Sequence, residues 1–165
     1  MSSEKKLFIA SDHAGLSLKS ELIKGLPQWT WIDLGPLNSN SVDYPDYALM
    51  LAQRIASEEA TRGVLICGSG IGMSISANKC PGIRAAVVEN PVAARLSREH
   101  NDANVLCLGS RFIAPEYGIE IVKVWLTTEF SNTARHVKRL QKIQAIEHNM
   151  TKKADDLSVA RKKDF

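Results

Sequence analysis

Residues 65–74 read Leu-Ile-Cys-Gly-Ser-Gly-Ile-Gly-Met-Ser, an apolar run that ends at a cysteine and passes into a glycine-rich turn. The apolar run predicts a buried strand, and the following residues predict a helix that begins within the turn or just after it. The glycines let backbone N–H groups converge without obstruction, so the turn could stabilise developing negative charge. Cys67 is therefore a candidate acid or base beside an oxyanion, although free cysteines are also commonly inert, buried residues.

Short apolar runs alternate with segments of helical period along most of the chain. The predicted strands span residues 7–10, 30–34, 63–67, 85–88 and 105–108. The predicted helices span residues 14–26, 47–57, 91–100, 115–126 and 135–148. This alternation predicts an α/β fold, a flavodoxin-like, Rossmann-type three-layer sandwich in which a five-stranded parallel sheet has helices on both faces.

The expected strand order is 2-1-3-4-5, in which the chain reverses direction between strands one and three. Residues 11–15 follow strand one, and residues 67–70 follow strand three. Both segments would then meet at the carboxyl ends of the strands, where folds of this kind bind ligands.

The carboxyl-terminal part of the chain predicts a helix and a tail beyond the sheet. The helix over residues 135–148 has a partly apolar face, and a five-stranded domain already has its covering helices. We therefore expect this helix to pack on a second copy of the chain. One domain is expected over residues 1–150, followed by a charged, weakly periodic extension at residues 151–165.

Composition excludes several classes of function. A net charge of +3 is too small to indicate a nucleic-acid partner, and no apolar run approaches the ~20 residues that a membrane span needs. The first residues lack the apolar core of a secretory signal, so a cytoplasmic protein is expected. The three cysteines and four histidines show neither disulfide nor metal-binding spacings, so no metal or other cofactor is expected.

Polar residues elsewhere in the chain could join Cys67 in a site. Asp12 and His13 follow the first strand, although Asp12 could simply cap a helix. His100 lies near the end of a predicted helix, where a histidine can complement the helix dipole or carry a proton near neutral pH.

Arginines supply a third group of candidates. Arg135 and Arg139 are one helical turn apart and, with Arg111, could grip a phosphate, although a solvated basic face would show the same pattern. A thiol base, an anion-stabilising turn, a titratable histidine and an arginine clamp together indicate proton abstraction next to the carbonyl of a sugar phosphate. The expected intermediate is an enediolate.

Ordered motifs carry a resemblance to a known family. They are Ser11-Asp12-His13-Ala14-Gly15, Asp43-Tyr44-Pro45, Cys67-Gly68-Ser69-Gly70-Ile71-Gly72, Asn78-Lys79, Gly82-Ile83-Arg84-Ala85-Ala86, Ser97-Arg98-Glu99-His100-Asn101-Asp102-Ala103-Asn104 and Gly109-Ser110-Arg111. From about residue 7 to about residue 148, the chain closely resembles the ribose-5-phosphate isomerase B family. The resemblance implies an aldose–ketose isomerase of the non-oxidative pentose phosphate pathway, which interconverts D-ribose 5-phosphate and D-ribulose 5-phosphate.

The resemblance also implies a role for each candidate residue. Cys67 would move a proton between C1 and C2, Ser69 would assist proton movement between oxygens, and His100 would open the furanose ring. The backbone amides that would hold the enediolate oxygen belong to Gly68, Gly70, Ile71 and Gly72. The side chains that would line the sugar site are those of Asp12, Tyr44 and Asn101. The phosphate would be bound by His13, Arg111, Arg135 and Arg139.

The resemblance also concerns the identity of the catalytic base and the number of chains that form the active site. Family members often carry threonine at the position of Ser69, and either hydroxyl can donate and accept a proton. Some members use a carboxylate from this loop as the base, but residues 71–77 contain no acidic residue, so Cys67 is the expected base. A homodimer whose active sites combine residues of both chains is implied, and a dimer of dimers stays open.

Other functions stay open from the sequence. Related isomerases act on six-carbon sugar phosphates such as allose or galactose 6-phosphate, and a pocket that discriminates by size allows side activity on them. A non-catalytic phosphate- or nucleotide-binding module would share the fold but would leave Cys67 and His100 unexplained. A structural oligomer with a vestigial site would bind no sugar phosphate specifically.

Overall fold

The computed structural model describes residues 6–57 and 62–163. The chain forms two units, of which the first ends at Phe130 and the second begins at Ser131. The strands of the first unit are β1 (Lys6–Ser11), β2 (Thr30–Asp33), β3 (Arg62–Cys67), β4 (Ala85–Val87) and β5 (Val105–Gly109). Its helices are α1 (Leu16–Gly25), α2 (Tyr44–Ala56), α3 (Ile71–Ala77), α4 (Pro91–Asn101) and α5 (Pro115–Thr127), and the second unit contains α6 (Ala134–Lys163).

The five predicted strands are confirmed, each to within one residue at either end. The helices differ more from expectation. α2 begins at Tyr44, three residues before its predicted start, because the proline at its second position is compatible with a first helical turn. α6 continues to Lys163, past its predicted end at His148, since no glycine or proline follows that would stop it.

Neighbouring strands of the sheet run parallel, in the order β2-β1-β3-β5-β4. The sheet grows in one direction from β1 to β2 and in the opposite direction from β1 to β3, and this predicted reversal is confirmed. The predicted order 2-1-3-4-5 is wrong for the last two strands. β5 is buried along its whole length and lies beside β3, whereas β4 has only three residues, none of them fully buried, and lies at the edge. A continuous apolar strand needs cover on both faces, while a short, partly exposed strand is suited to an edge.

Helices cover both faces of the sheet, as predicted. In β1, Leu7 and Ile9 belong to a core formed with α1, α4 and α5, whereas Phe8 and Ala10 belong to a core formed with α2 and α3. Cys67 lies in the second core. Its side chain therefore faces α2 and α3, at the carboxyl end of the central strand.

The observed order places the carboxyl ends of β1, β3 and β5 side by side. Ser11 is paired with Ile66, and Cys67 is paired with Gly109. In the predicted order β4 would have stood between β3 and β5, and these two strands would have been about 9.6 Å apart instead of about 4.8 Å. The loops that follow β3 and β5 are therefore direct neighbours.

Candidate active site

The turn after β3 consists of Gly68, Ser69 and Gly70 and leads directly into α3. Gly70 has a φ of 76°, in the left-handed region that favours glycine. A Cβ at this position would also lie 3.0 Å from the carbonyl carbon of Leu108 in β5. Both the backbone angle and the close approach of β5 therefore require glycine at position 70.

The Cys67 side chain lies at the base of this turn. It is a free thiol, only 4% exposed, and its Sγ accepts a hydrogen bond from the backbone N–H of Gly70 at 3.1 Å. An N–H group that points at sulfur stabilises negative charge on it. Close by, the Oγ of Ser69 accepts a hydrogen bond from the N–H of Ile71 at 3.3 Å. One short segment thus presents a thiol, a hydroxyl and backbone donors.

A second thiol lies behind Cys67. Cys107 in β5 is paired with Leu65, two residues before Cys67, and belongs to the same core as Cys67. Burial raises the pKa of the Cys107 thiol, and the neighbouring Cys67 raises it further. Cys107 therefore stays protonated, and of these two thiols Cys67 is the one at the base of the turn.

Tyr44 stands against the start of α3. It is the first residue of α2 and is 40% exposed. A Cβ on Gly72 would lie 2.6 Å from the Cζ of Tyr44 and 3.1 Å from its hydroxyl oxygen. Gly72 therefore leaves the space that the tyrosine ring occupies, and the ring lies beside the turn.

Asp12 and His13 follow β1 at the same edge. The N–H of Asp12 donates to the carbonyl oxygen of Ile66 at 3.0 Å, which places Asp12 next to Cys67 in the neighbouring strand. Its buried Oδ1 accepts from the N–H of Gly15 at 3.0 Å. The exposed His13 accepts from the N–H of Val42 through Nδ1 at 3.3 Å, so Nε2 carries the proton in the neutral ring and is its donor.

Arg111 reaches the turn from the end of β5. Its backbone N–H donates to the carbonyl oxygen of Gly68 at 3.1 Å, and a Cβ on Gly68 would lie 3.1 Å from the Cζ and Nε of Arg111. A guanidinium this close to the turn can bind an anion there. This proximity depends on the observed strand order, in which β5 lies directly beside β3.

From the sequence, no role is predicted for Gly109 and Ser110, yet they join the loops of three strands. The N–H of Ser110 donates to the carbonyl oxygen of Cys67 at 2.9 Å, and its Oγ donates to that of Ala14 at 2.9 Å. A Cβ on Gly109 would lie 2.8 Å from the carbonyl oxygen of Ser69. Gly109 and Ser110 lie at the end of the fifth strand, and this position indicates that they can contact the loops of neighbouring strands. The predicted strand order does not place the fifth strand beside the third, so these contacts are not predicted from the sequence.

Within one chain, His100 and Asn101 lie far from Cys67. They end α4, and the carbonyl oxygen of Asn104, three residues later, accepts from the N–H of Gly63 near the start of β3 at 3.0 Å. Gly63 and Cys67 are four residues apart in the strand, a span of about 13 Å. α4 therefore ends at the amino-terminal edge of the sheet, whereas Cys67 lies at the carboxyl-terminal edge.

Arg135 and Arg139 lie in the second unit, in the first turns of α6, and both are exposed. Their spacing places them on one face of the helix, as predicted. The Nε of Arg135 donates to the Nε2 of His136 at 3.1 Å, while the Nδ1 of His136 lies 2.9 Å from the Oγ of Ser131. His136, to which the sequence assigns no role, therefore orients the Arg135 guanidinium.

The described part of the chain contains neither a metal-ligand cluster nor a helix that could span a membrane. Among residues 6–57 and 62–163, no group of three His, Cys, Asp or Glu could hold a metal ion. No helix among these residues is long and apolar enough to cross a membrane.

The chain matches the ribose/galactose isomerase family over residues 7–143. The chain belongs to this isomerase family. The chain is 49% identical over 145 residues to a putative sugar phosphate isomerase of Bacillus subtilis, a match that covers 86% of this chain and 97% of that one.

Solved structures of the family are similar along most of their length. Ribose-5-phosphate isomerase B of Clostridium thermocellum has 48% sequence identity and a TM-score of 0.85, covering 88% of this chain and 99% of that chain. Ribose-5-phosphate isomerase B of Mycoplasma genitalium, with bound ribulose 5-phosphate, has 41% identity and a TM-score of 0.81, covering 87% of this chain and 96% of that chain. The parallel sheet with its covering helices is therefore the architecture of this isomerase family.

Proposed function

We propose that this family member interconverts D-ribose 5-phosphate and D-ribulose 5-phosphate with Cys67 as the base. The observation that carries the proposal is the position of Cys67, a free thiol at the carboxyl end of β3 whose sulfur accepts the N–H of Gly70. The bound ribulose 5-phosphate of the similar Mycoplasma genitalium enzyme supports the choice of substrate.

The first step is proton abstraction from the open-chain aldose. The thiolate of Cys67 takes the proton from C2, and the electrons of that C–H bond form a C1–C2 double bond while the carbonyl electrons move to O1. The product is an enediolate with negative charge on O1. Backbone N–H groups of the turn between Gly68 and Gly72 stabilise this charge, because their positions are already fixed before the charge develops.

The second step returns the proton to the neighbouring carbon. Ser69 relays the hydroxyl proton of O2 to O1, since a hydroxyl can donate and accept in the same step. The Cys67 thiol then gives its proton to C1 as the C2 carbonyl forms. The aldose has become a ketose, and the cysteine is again a thiolate.

The phosphate of the substrate needs donors at some distance from the reacting carbons. His13 and Arg111 lie on loops at the same sheet edge as Cys67, and their imidazole and guanidinium N–H groups suit phosphate oxygens. Arg135 and Arg139 keep the phosphate-binding role that the family resemblance implies.

Ring opening requires a group that a single chain does not place near Cys67. His100 and Asn101 end α4 at the opposite edge of the sheet. We therefore propose a homodimer in which a second copy supplies these residues to each site. Ile71 and Ile75 on α3, and Val92 at the start of α4, are exposed and provide apolar surface for such an interface.

The test is isomerisation of ribose 5-phosphate in D₂O, followed by NMR. The wild type should form ribulose 5-phosphate with deuterium at C1, because a proton held on Cys67 can exchange with solvent, whereas a hydride shift would leave C1 without deuterium. Cys67→Ala should lose about 10³-fold in kcat, in the range expected for removal of a general base. The matched control Cys80→Ala removes a half-buried free thiol outside the turn and should retain full activity.

Each adverse outcome points to a different error. Full activity of Cys67→Ala would exclude the thiol base. Turnover of allose 6-phosphate or galactose 6-phosphate without turnover of ribose 5-phosphate would make the substrate a six-carbon sugar. Specific binding of sugar phosphates without any turnover would leave a binding module.

A further inference from the structure

The end of α4 is held by more interactions than helix termination requires. Asp102 adopts the left-handed conformation, with a φ of 44°, and its N–H donates to the carbonyl oxygen of Arg98 at 3.0 Å. The N–H of Ala103 donates to the carbonyl oxygen of Ser97 at 3.0 Å. The first of these is the single 5→1 bond of an αL C-terminal cap, and the two bonds together already satisfy carbonyl oxygens of the last helical turns.

The Asp102 carboxylate bridges two arginines. Its Oδ1 lies 2.8 Å from the Nη1 of Arg98, and its Oδ2 lies 2.8 Å from the Nη2 of Arg84. Arg98 is only 4% exposed, and its Nη1 also donates to the carbonyl oxygen of Ala103. Burial lowers the pKa of the Arg98 guanidinium, nearby Arg62 lowers it further, and Asp102 raises it. Asp102 thus supplies the countercharge that a buried cation needs.

Arg84 reaches the helix end from the loop before β4. Its Nε donates to the carbonyl oxygens of Asn101 at 3.2 Å and Asp102 at 2.9 Å. Its backbone N–H donates to the Oδ1 of Asn104 at 2.8 Å, and the N–H of Asn104 donates back to the carbonyl oxygen of Arg84 at 3.2 Å. One arginine therefore fixes the backbone on the carboxyl-terminal side of His100.

We propose that Arg84, oriented by the Asp102 carboxylate, is a positioning residue that fixes the α4 terminus so that His100 is presented correctly to the substrate in the site of a second copy. The inference rests on the proposed function, in which His100 acts from a partner chain. Arg84 touches no substrate in this role. It acts through the backbone of Asn101 and Asp102, to which its guanidinium is bonded.

Arg84→Gln is the informative variant, because Arg84 is about one-third exposed and the Arg98–Asp102 pair stays intact. We expect kcat for ribose 5-phosphate to fall about 10- to 100-fold, the scale of a misplacement near 1 Å, with KM within about 2-fold. Arg84→Lys should fall in between, since an ammonium retains the charge but not the planar fork. Melting temperature, dimer content and the alkylation rate of Cys67 should stay at wild-type values.

A matched control and a double variant separate positioning from general stabilisation. Arg95→Gln breaks the exposed pair between Arg95 and Glu99 on the same helix and should leave kcat unchanged. In a His100→Ala background, Arg84→Gln should cause no further loss, because its effect passes through His100.

Two results would overturn the inference. One is an unchanged kcat in Arg84→Gln, and the other is a full additional loss in the His100→Ala background. An inactive wild type would instead refute the proposed function, so the two failures are distinguishable.

Discussion

The two edges of the sheet hold their functional groups by different means. At the carboxyl-terminal edge, Cys67 lies at the base of a turn of backbone donors, and close contacts require glycine at Gly70 in the turn, at Gly72 in α3 and at Gly109 at the end of β5. At the amino-terminal edge, the end of α4 is held by the charged side chains of Arg84 and Asp102. In the proposed function, the first edge exposes N–H groups to an anion, while the second presents the His100 side chain to a partner chain. The two edges should therefore fail differently when altered.

The largest expected effect comes from separating the two edges onto different chains. Cys67→Ala and His100→Ala homodimers should both be nearly inactive. A heterodimer of the two variants, co-expressed with different tags and purified through both, should recover about half of the wild-type activity, since one of its two sites is then intact. The measurement is kcat per dimer for ribose 5-phosphate.

The same experiment contains its own control. A heterodimer of Cys67→Ala with wild type should also retain about half of the activity. If the Cys67→Ala and His100→Ala heterodimer stays inactive while this control is active, the two residues act within one chain, and the division of the site between the edges is wrong.

A smaller effect should follow from crowding the carboxyl-terminal edge. Gly72→Ala places a Cβ 2.6 Å from the Cζ of Tyr44, so the ring must move. Alanine is also a better helix former than glycine, by up to ~1 kcal/mol, and this gain offsets part of the cost to stability. We expect kcat/KM to fall about 10-fold with little change in melting temperature.

Two further variants test whether displacement of the Tyr44 ring causes the expected loss of kcat/KM in Gly72→Ala. In a Tyr44→Ala background, Gly72→Ala should have little additional effect, because the clash is gone. Gly118→Ala in α5 places a Cβ against Leu18 at 3.2 Å, away from the turn, and should leave kcat/KM unchanged. Equal activity losses in Gly72→Ala and Gly118→Ala would show that crowding of Tyr44 is not the reason.

The sequence predicted the carboxyl-terminal edge better than the amino-terminal edge. Cys67 ends the third predicted strand, and Asp12 and Gly70 follow the first and third predicted strands within three residues. The carboxyl ends of parallel strands lie at one edge of the sheet, so these residues are expected together. Arg111 is a candidate from the sequence, but its contact with Gly68 depends on a strand order that local patterns do not encode. Strand order is set by tertiary packing, here by the full burial of β5.

The amino-terminal edge shows what residue patterns leave out. In a parallel sheet a helix between two strands runs back to the amino-terminal edge, so the pattern already implies on which edge His100 lies. The pattern does not show which side chains hold that helix end. The bonds from Arg84 to Asn101 and Asp102 join residues 17 and 18 positions apart. Such contacts have no local signal, because surface arginines and aspartates are common in any helix-rich chain.

The smallest expected effect concerns the second thiol of the carboxyl-terminal edge. Burial raises the pKa of Cys107 in the folded protein, whereas an exposed cysteine in the unfolded chain has a pKa near 8.5. Above that pH the unfolded state loses the proton and the folded state keeps it, so the free energy of unfolding falls by about 1.4 kcal/mol per pH unit. Below that pH both states hold the proton, and Cys107 adds no pH dependence.

Cys107→Ala should lack this decline, so its stability difference from wild type should narrow by about 2 kcal/mol between pH 8.5 and 10 in urea unfolding under reducing conditions. Cys80→Ala should show a smaller narrowing, because Cys80 is only half-buried. If the free energies of unfolding of wild type and Cys107→Ala change with pH in parallel, Cys107 loses its proton in the folded protein as well, and the inference that it stays protonated is wrong.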